Sequence, residues 1–153
     1  MRRVKAWLVV HDYLPEHVGG TELHAHLLAQ GLQRLGLEVT VLSTERDLDR
    51  PEGALVEREH EGVRVVERVH QREYADVRET WTQPAAAESF AALLGRGRPD
   101  VVHFQHFAHW GTACLEAARA ARVPAVVTLH DYHLLCDNGF LLRPAPERSG
   151  GVA

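Results

Sequence analysis

Short runs of β-branched residues alternate with longer segments of helical spacing along this chain, and that rhythm leaves few folds open. Val4–Val10 is a run that is apolar apart from Lys5 and is followed by a loop with Pro15, Gly19 and Gly20, the pattern of a first strand buried on both faces. From Thr21, Leu23, Leu27, Leu28, Leu32 and Leu35 recur at helical spacing. They predict a crossover helix, with Thr21 or Gly20 placed to cap its start and Gly36 placed to end it. Leu37–Thr44 reads as strand two. The charged stretch Glu45–Gly62, broken by Pro51 and Gly53, reads as a solvated loop with room for a short hairpin. Val63–Val69 suits a third strand nearer the sheet edge, and residues 71–83 support no assignment. Pro84–Leu94 predicts a helix with proline in its first turn, ended by Gly95 and Gly97. Val101–Phe104 follows as strand four, Trp110–Arg122 as an Ala-rich helix, Pro124–Leu129 as strand five and Arg143–Ala153 as loop.

Strands alternating with helices require βαβ units, a parallel sheet and right-handed crossovers. The expected class is a doubly wound, Rossmann-like α/β fold with helices on both faces. A length of 153 residues suits one core. With 45% hydrophobic and 25% charged residues the composition excludes a disordered chain. A net charge of -4 without a Lys/Arg run argues against a nucleic-acid binder, and no apolar stretch approaches the roughly 20 residues of a membrane span. Ala6–Val10 is short and leads into His11-Asp12-Tyr13 with no small-residue cleavage site, unlike a signal peptide. Two cysteines, Cys114 and Cys136, form neither a disulfide framework nor a CxxC pattern, which suits a reducing cytoplasm.

An open parallel sheet binds ligands outside the carboxyl ends of its strands, where the polar residues of this chain gather. His11 and Asp12 end strand one; His103 and His106 end strand four, with His109 just beyond; His130, Asp131 and His133 end strand five. Any one of these histidines could simply be a strand-end polar residue satisfied by a backbone carbonyl. Their convergence is the signature of a pocket. Gly19-Gly20 directly precedes a helix N-terminus, where unpaired amides and the positive dipole end favour an anion such as a diphosphate. A tight strand-to-helix turn explains the pair equally well. The loop is not GxGxxG, and no acidic residue ends strand two to hold a dinucleotide ribose. His103, His106 and His109 form HxxHxxH, which with His24-x-His26 and His130-x-x-His133 raises a histidine-ligated metalloenzyme as an alternative. Against it, residues three apart on a strand point to opposite faces.

Three stretches together resemble the N-terminal domain of family 4 glycosyltransferases, the retaining GT-B group, over residues 4 to about 142. They are Pro15…Gly19-Gly20-Thr21-Glu22 with the following helix through LEVTVLST, RPDVVHFQHF from Arg98 to Phe107, and VPAVVTLHDYHLLC from Val123 to Cys136. The resemblance implies half of a two-domain enzyme that moves a sugar from a nucleotide-sugar to an acceptor, this half binding mostly the acceptor. It implies that Gly19, Gly20 and Thr21 lie against the donor diphosphate. His130 is implied as the active-site histidine contacting the donor sugar, with Asp131 beside it. His11, Asp12, His103 and His106 are then the acceptor-side candidates.

Such folds generally need no metal for this step, so no cofactor is expected beyond the donor as substrate. The acceptor class stays open among a lipid-linked glycan, a polysaccharide and a small metabolite. In many such enzymes the N-terminal domain touches the membrane through a basic amphipathic helix, and none of the helices read here is clearly basic. The expected domain is residues 1–142, incomplete at its C-terminal end, with an unstructured tail at 143–153. The nucleotide-holding second domain, with its paired glutamates, has no counterpart in the sequence. The expectation is therefore a fragment inactive alone. A stand-alone binding module of the same fold is the alternative.

Overall fold

A computed structural model describes residues 2–135. The expected tail at 143–153, the domain boundary at 142 and Cys136 lie outside the described residues. Strands β1 (Lys5–Val9), β2 (Glu38–Glu45), β3 (Leu55–His60), β4 (Val63–Val69), β5 (Val101–Phe104) and β6 (Ala125–Val127) form one sheet. The helices are α1 (Gly20–Arg34), α2 (Pro84–Gly97) and α3 (Ala113–Ala120), with a short 3-10 turn at Val77–Thr80. The strand order is β3-β4-β2-β1-β5-β6. All neighbours are parallel except β3 and β4. This is the doubly wound, Rossmann-like α/β class expected from the sequence. The charged stretch after β2 does form a hairpin. His60 pairs with Val63 across Glu61 and Gly62, both with positive φ, as a tight hairpin turn requires.

Alternation along the strands sends two sets of side chains to opposite faces. Trp7, Val9, Leu42, Val66, Val102 and Phe104 pack against Phe90 and Leu94 of α2 and Cys114 and Ala118 of α3. Leu8, Val10, Val41 and Val65 pack against Tyr13 and against Ala25 and Ala29 of α1. Cys114 is a buried free thiol, and burial pushes its pKa up to about 12. It behaves as a small hydrophobe.

Several boundaries differ from expectation for local physical reasons. The α1 N-cap is Gly19, which offers no side-chain hydrogen bond. Thr21 and Gly20 are already inside the helix. Leucine spacing locates α1 but not its buried face, because Leu23 and Leu27 are 47% and 56% exposed. The residues turned inward are Glu22, Ala25, His26 and Ala29, the two alanines allowing a close approach to the sheet. At its C-terminus Gly36, at φ +88, follows the Leu35 cap, as expected. Helix α2 continues through Gly95 and Gly97 and ends at Arg98, which takes the left-handed conformation. A Cβ at Gly97 would enter the Trp7 ring, so glycine there lets α2 lie close over β1. Trp110 precedes α3 instead of starting it. Its buried indole donates from Nε1 to the Val10 carbonyl at 3.0 Å, and Gly111 at φ +77 separates it from the helix.

Candidate functional site

The chain passes from β1 through α1 to β2 on one side and returns to place β5 on the other side of β1. The order therefore reverses between β1 and β5, and a crevice opens outside their carboxyl ends. His11 and Asp12 follow β1 after Val10, Gln105 and His106 follow β5, and His130 and Asp131 lie beyond β6. Gly19 and Gly20, both exposed, begin α1 above the same edge.

His106 and Asp131 form the most ordered part of this rim. The Ala108 amide donates to His106 Nδ1 at 3.0 Å, which leaves the proton on Nε2, and that atom donates to Asp131 Oδ2 at 2.9 Å. Asp131 Oδ1 accepts from the His133 amide at 2.9 Å, so both of its oxygens are occupied. The His11 ring lies 4.3 Å from that of His106, and its Nε2 is 3.0 Å from Glu22 Oε1. Burial, with His106 and Arg72 adding to it, pushes the His11 pKa down to about 3. The ring is neutral at physiological pH.

His130 belongs to a neighbouring group. Its Nε2 donates to Gln105 Oε1 at 2.9 Å, and its ring is 4.8 Å from that of His24 on α1. Burial, then His24 and His106, lower its pKa, so Nδ1 is left as an acceptor. His103 remains on β5, half-buried, sharing a 2.7 Å hydrogen bond with Thr128 Oγ1. Burial and the nearby His24 and His130 lower its pKa as well. His103 and His106 thus bond to different partners, and HxxHxxH does not gather around one point.

The other wall comes from the segment that the sequence left unassigned. Arg72 forms an ion pair with Asp12, and Tyr74 hydrogen-bonds to His109. Burial raises the Asp12 pKa against the pull of Arg72. Burial with Arg72 and His70 pushes that of His109 down to about 3. Arg72 and His109 adopt φ +61 and +65, conformations unfavourable for residues with a Cβ by roughly 1–2 kcal/mol each. Around this rim His11 Nδ1, Gln105 Nε2 and Arg72 Nε are buried without a hydrogen-bond partner. Unpaired buried polar atoms are costly, and three of them at one sheet edge suit a site that a polar ligand completes.

Glu22, Gln105, Arg72 and Tyr74 join the site without any signal of a role in local sequence pattern. Glu22 is 6% exposed in the first turn of α1. A Cβ on Gly19 would collide with its carboxylate, whereas a Cβ on Gly20 meets nothing within 4 Å. Gly19 is therefore fixed by its neighbour, and the surface over Gly20 is open. The usable signal in the sequence was a carboxylate placed beside two glycines at a helix start.

Residues 18–148 match the model of the family described as Glycosyltransferase Family 4. The chain belongs to that family. It is 24% identical over 151 residues to an uncharacterized 42.6 kDa protein in the cps region of Klebsiella pneumoniae. That match covers 90% of this chain and 39% of the relative, so the chain spans about two-fifths of the relative's length. Among the described residues of this family 4 chain, no helix is long and apolar enough to cross a membrane.

Proposed function

We propose that this chain supplies the acceptor-side part of a retaining glycosyltransferase that draws on a nucleotide-sugar donor. The observation that carries the reading is the convergence of the open α1 N-terminus and three unpaired buried polar atoms on the β1–β5 crevice. Departure of a nucleoside diphosphate concentrates negative charge on its phosphate oxygens. First-turn amides of α1, beginning at Gly20 and Thr21, have no intrahelical acceptor and can donate to that charge as it develops. No side chain caps them. Glu22 does not compete, since its carboxylate is turned inward toward His11.

His130 positions the donor sugar. Being neutral, with Nε2 committed to Gln105, it presents Nδ1 to accept from a sugar hydroxyl. Gln105 Nε2 and His11 Nδ1 supply one further donor and one further acceptor. Asp131 acts through His106, since both of its oxygens are occupied, and Asp12 holds Arg72 in the wall. His103 serves the β5–β6 seam through Thr128. The acceptor is a glycan, a lipid-linked glycan or a small molecule, and the cytoplasm is the compartment we assign. The 153 residues alone are expected to transfer no sugar. No metal is assigned to the transfer step.

The test is Gly20→Asp in an active enzyme containing these residues, assayed for sugar transfer beside Gly20→Ala. A Cβ at Gly20 touches nothing, so Gly20→Ala should fold and work. The aspartate should abolish transfer by placing a carboxylate against the diphosphate. A fully active Gly20→Asp enzyme would reject the phosphate role.

A further inference from the structure

We propose that His26, His60 and Glu61 form a site for one divalent transition-metal ion of zinc type, on the α1 face of the sheet and apart from the β1–β5 crevice. One ligand atom from each lies within 4.8 Å of the other two. His26 Nε2 and Glu61 Oε2 are 3.0 Å apart, and the two imidazole centroids are separated by 5.2 Å. Two ligands at zinc distances in a tetrahedron stand about 3.3 Å apart. One pair already has the spacing, and the third ring needs only a small approach. Two imidazoles, a carboxylate and a water are a ligand set suited to zinc.

Three features single this cluster out. First, His26 is 3% exposed and its outer nitrogen, Nδ1, is 2.9 Å from the Tyr13 hydroxyl. A second-shell partner of this kind fixes a ligating ring. Without metal, Tyr13 donates to Nδ1 and Nε2–H donates to Glu61. With metal on Nε2 the proton resides on Nδ1 and is donated to the Tyr13 oxygen. The exchange is a tautomer shift of the ring. Second, Glu61 occupies a hairpin turn at φ +46, where Gly, Asn or Asp is the easier choice. That backbone holds its carboxylate toward His26, where the Gln30 amide also donates to it at 3.4 Å. Third, among the described residues neither an arginine nor a lysine pairs with its carboxylate, which meets His26 and Gln30. At the other two clusters with this spacing, Asp12 is paired with Arg72, and Glu16 and Glu67 are paired with Arg58.

Such an ion would clip the β3–β4 hairpin to α1. The experiment titrates Zn²⁺, and separately Co²⁺ for its visible spectrum, into the tag-free, chelator-treated full chain. The wild type should bind one equivalent with a tetrahedral Co²⁺ spectrum and a raised Tm. His60→Ala should lose that equivalent. Glu61→Gln, an exposed turn position that keeps its shape, should weaken it. Tyr13→Phe should weaken it roughly 10–100-fold. The proposal is overturned if the wild type binds no stoichiometric ion. It is equally overturned if Glu61→Gln and a folded His60→Ala, checked by circular dichroism, both bind as the wild type does, or if Glu22→Gln at the crevice removes the ion instead.

Discussion

The two ends of the sheet differ in how their polar groups are satisfied. At the amino end Arg2 forms two hydrogen bonds to Asp100, and Asp100 also accepts from the Lys5 amide at 2.8 Å. Lys5 pairs with Glu38, and Arg64 with Glu57. These groups are solvated and matched, and a groove of about 410 Å³ beside them, floored by Trp7, Leu42 and Val66, has no unpaired buried polar atom. At the carboxyl end the polar groups are mostly half-buried, and His11 Nδ1, Gln105 Nε2 and Arg72 Nε are buried without a partner. A stable fold does not require that second arrangement. Cavity size favours the amino end, whereas the unpartnered buried polar atoms His11 Nδ1, Gln105 Nε2 and Arg72 Nε gather at the crevice.

The contrast breaks most decisively at Gly20. Gly20→Asp should reduce transfer by at least about 10²-fold, the scale of losing an oriented donor to a developing anion, while donor-turnover assays of Arg64→Ala should match wild type. Gly19→Ala sharpens it differently. With its Cβ driven into the Glu22 carboxylate, it should cost about 1–3 kcal/mol in denaturant unfolding, and Gly20→Ala should cost far less. A pH series distinguishes the ends next. His11 and His109 have folded pKa values near 3, below the unfolded value of about 6.5. The unfolded chain therefore takes up more protons as pH falls from about 6.5 to 3, and stability declines through that window. His11→Gln should flatten the decline in Tm, and substitutions at the amino end should leave its slope unchanged. The smallest effects are expected for Arg64→Ala, below about 1 kcal/mol as for exposed ion pairs, and for Leu27→Gln, within about 0.5 kcal/mol.

Leu27 also marks where the sequence was readable. The apolar runs located every strand of the sheet but β3, and Val101–Phe104 matches β5 end to end; burial follows the run in β1 and β2, whereas Ala125–Val127 of β6 is exposed at the sheet edge. In α1 the leucine spacing gave the helix but not its orientation. Close packing favoured the alanines, and the buried polar residues Glu22 and His26 turn toward His11 and Tyr13. The rim histidines were visible as strand-end residues. Their partners were not, since Gln105 meets His130 across 25 residues and Arg72 meets Asp12 across 60. Pairings of that range depend on strand order, which local patterns do not encode. For the same reason His26, His60 and Glu61 show no common motif.

The central position of β1 sets an order of assembly. Its register with β2 joins residues 33 apart, Lys5 with Glu38, whereas its register with β5 joins residues 95 apart, Ala6 with Val101. Closing the longer loop costs about 1 kcal/mol more in chain entropy, and β4 and the hairpin add to β2 through near neighbours. The β1–β2–β4–β3 half should therefore nucleate first, with β5 and β6 docking onto the free edge of β1. In that sequence the crevice is the seam along which the late half joins the early one, so this edge of the sheet is completed in the last stage of folding.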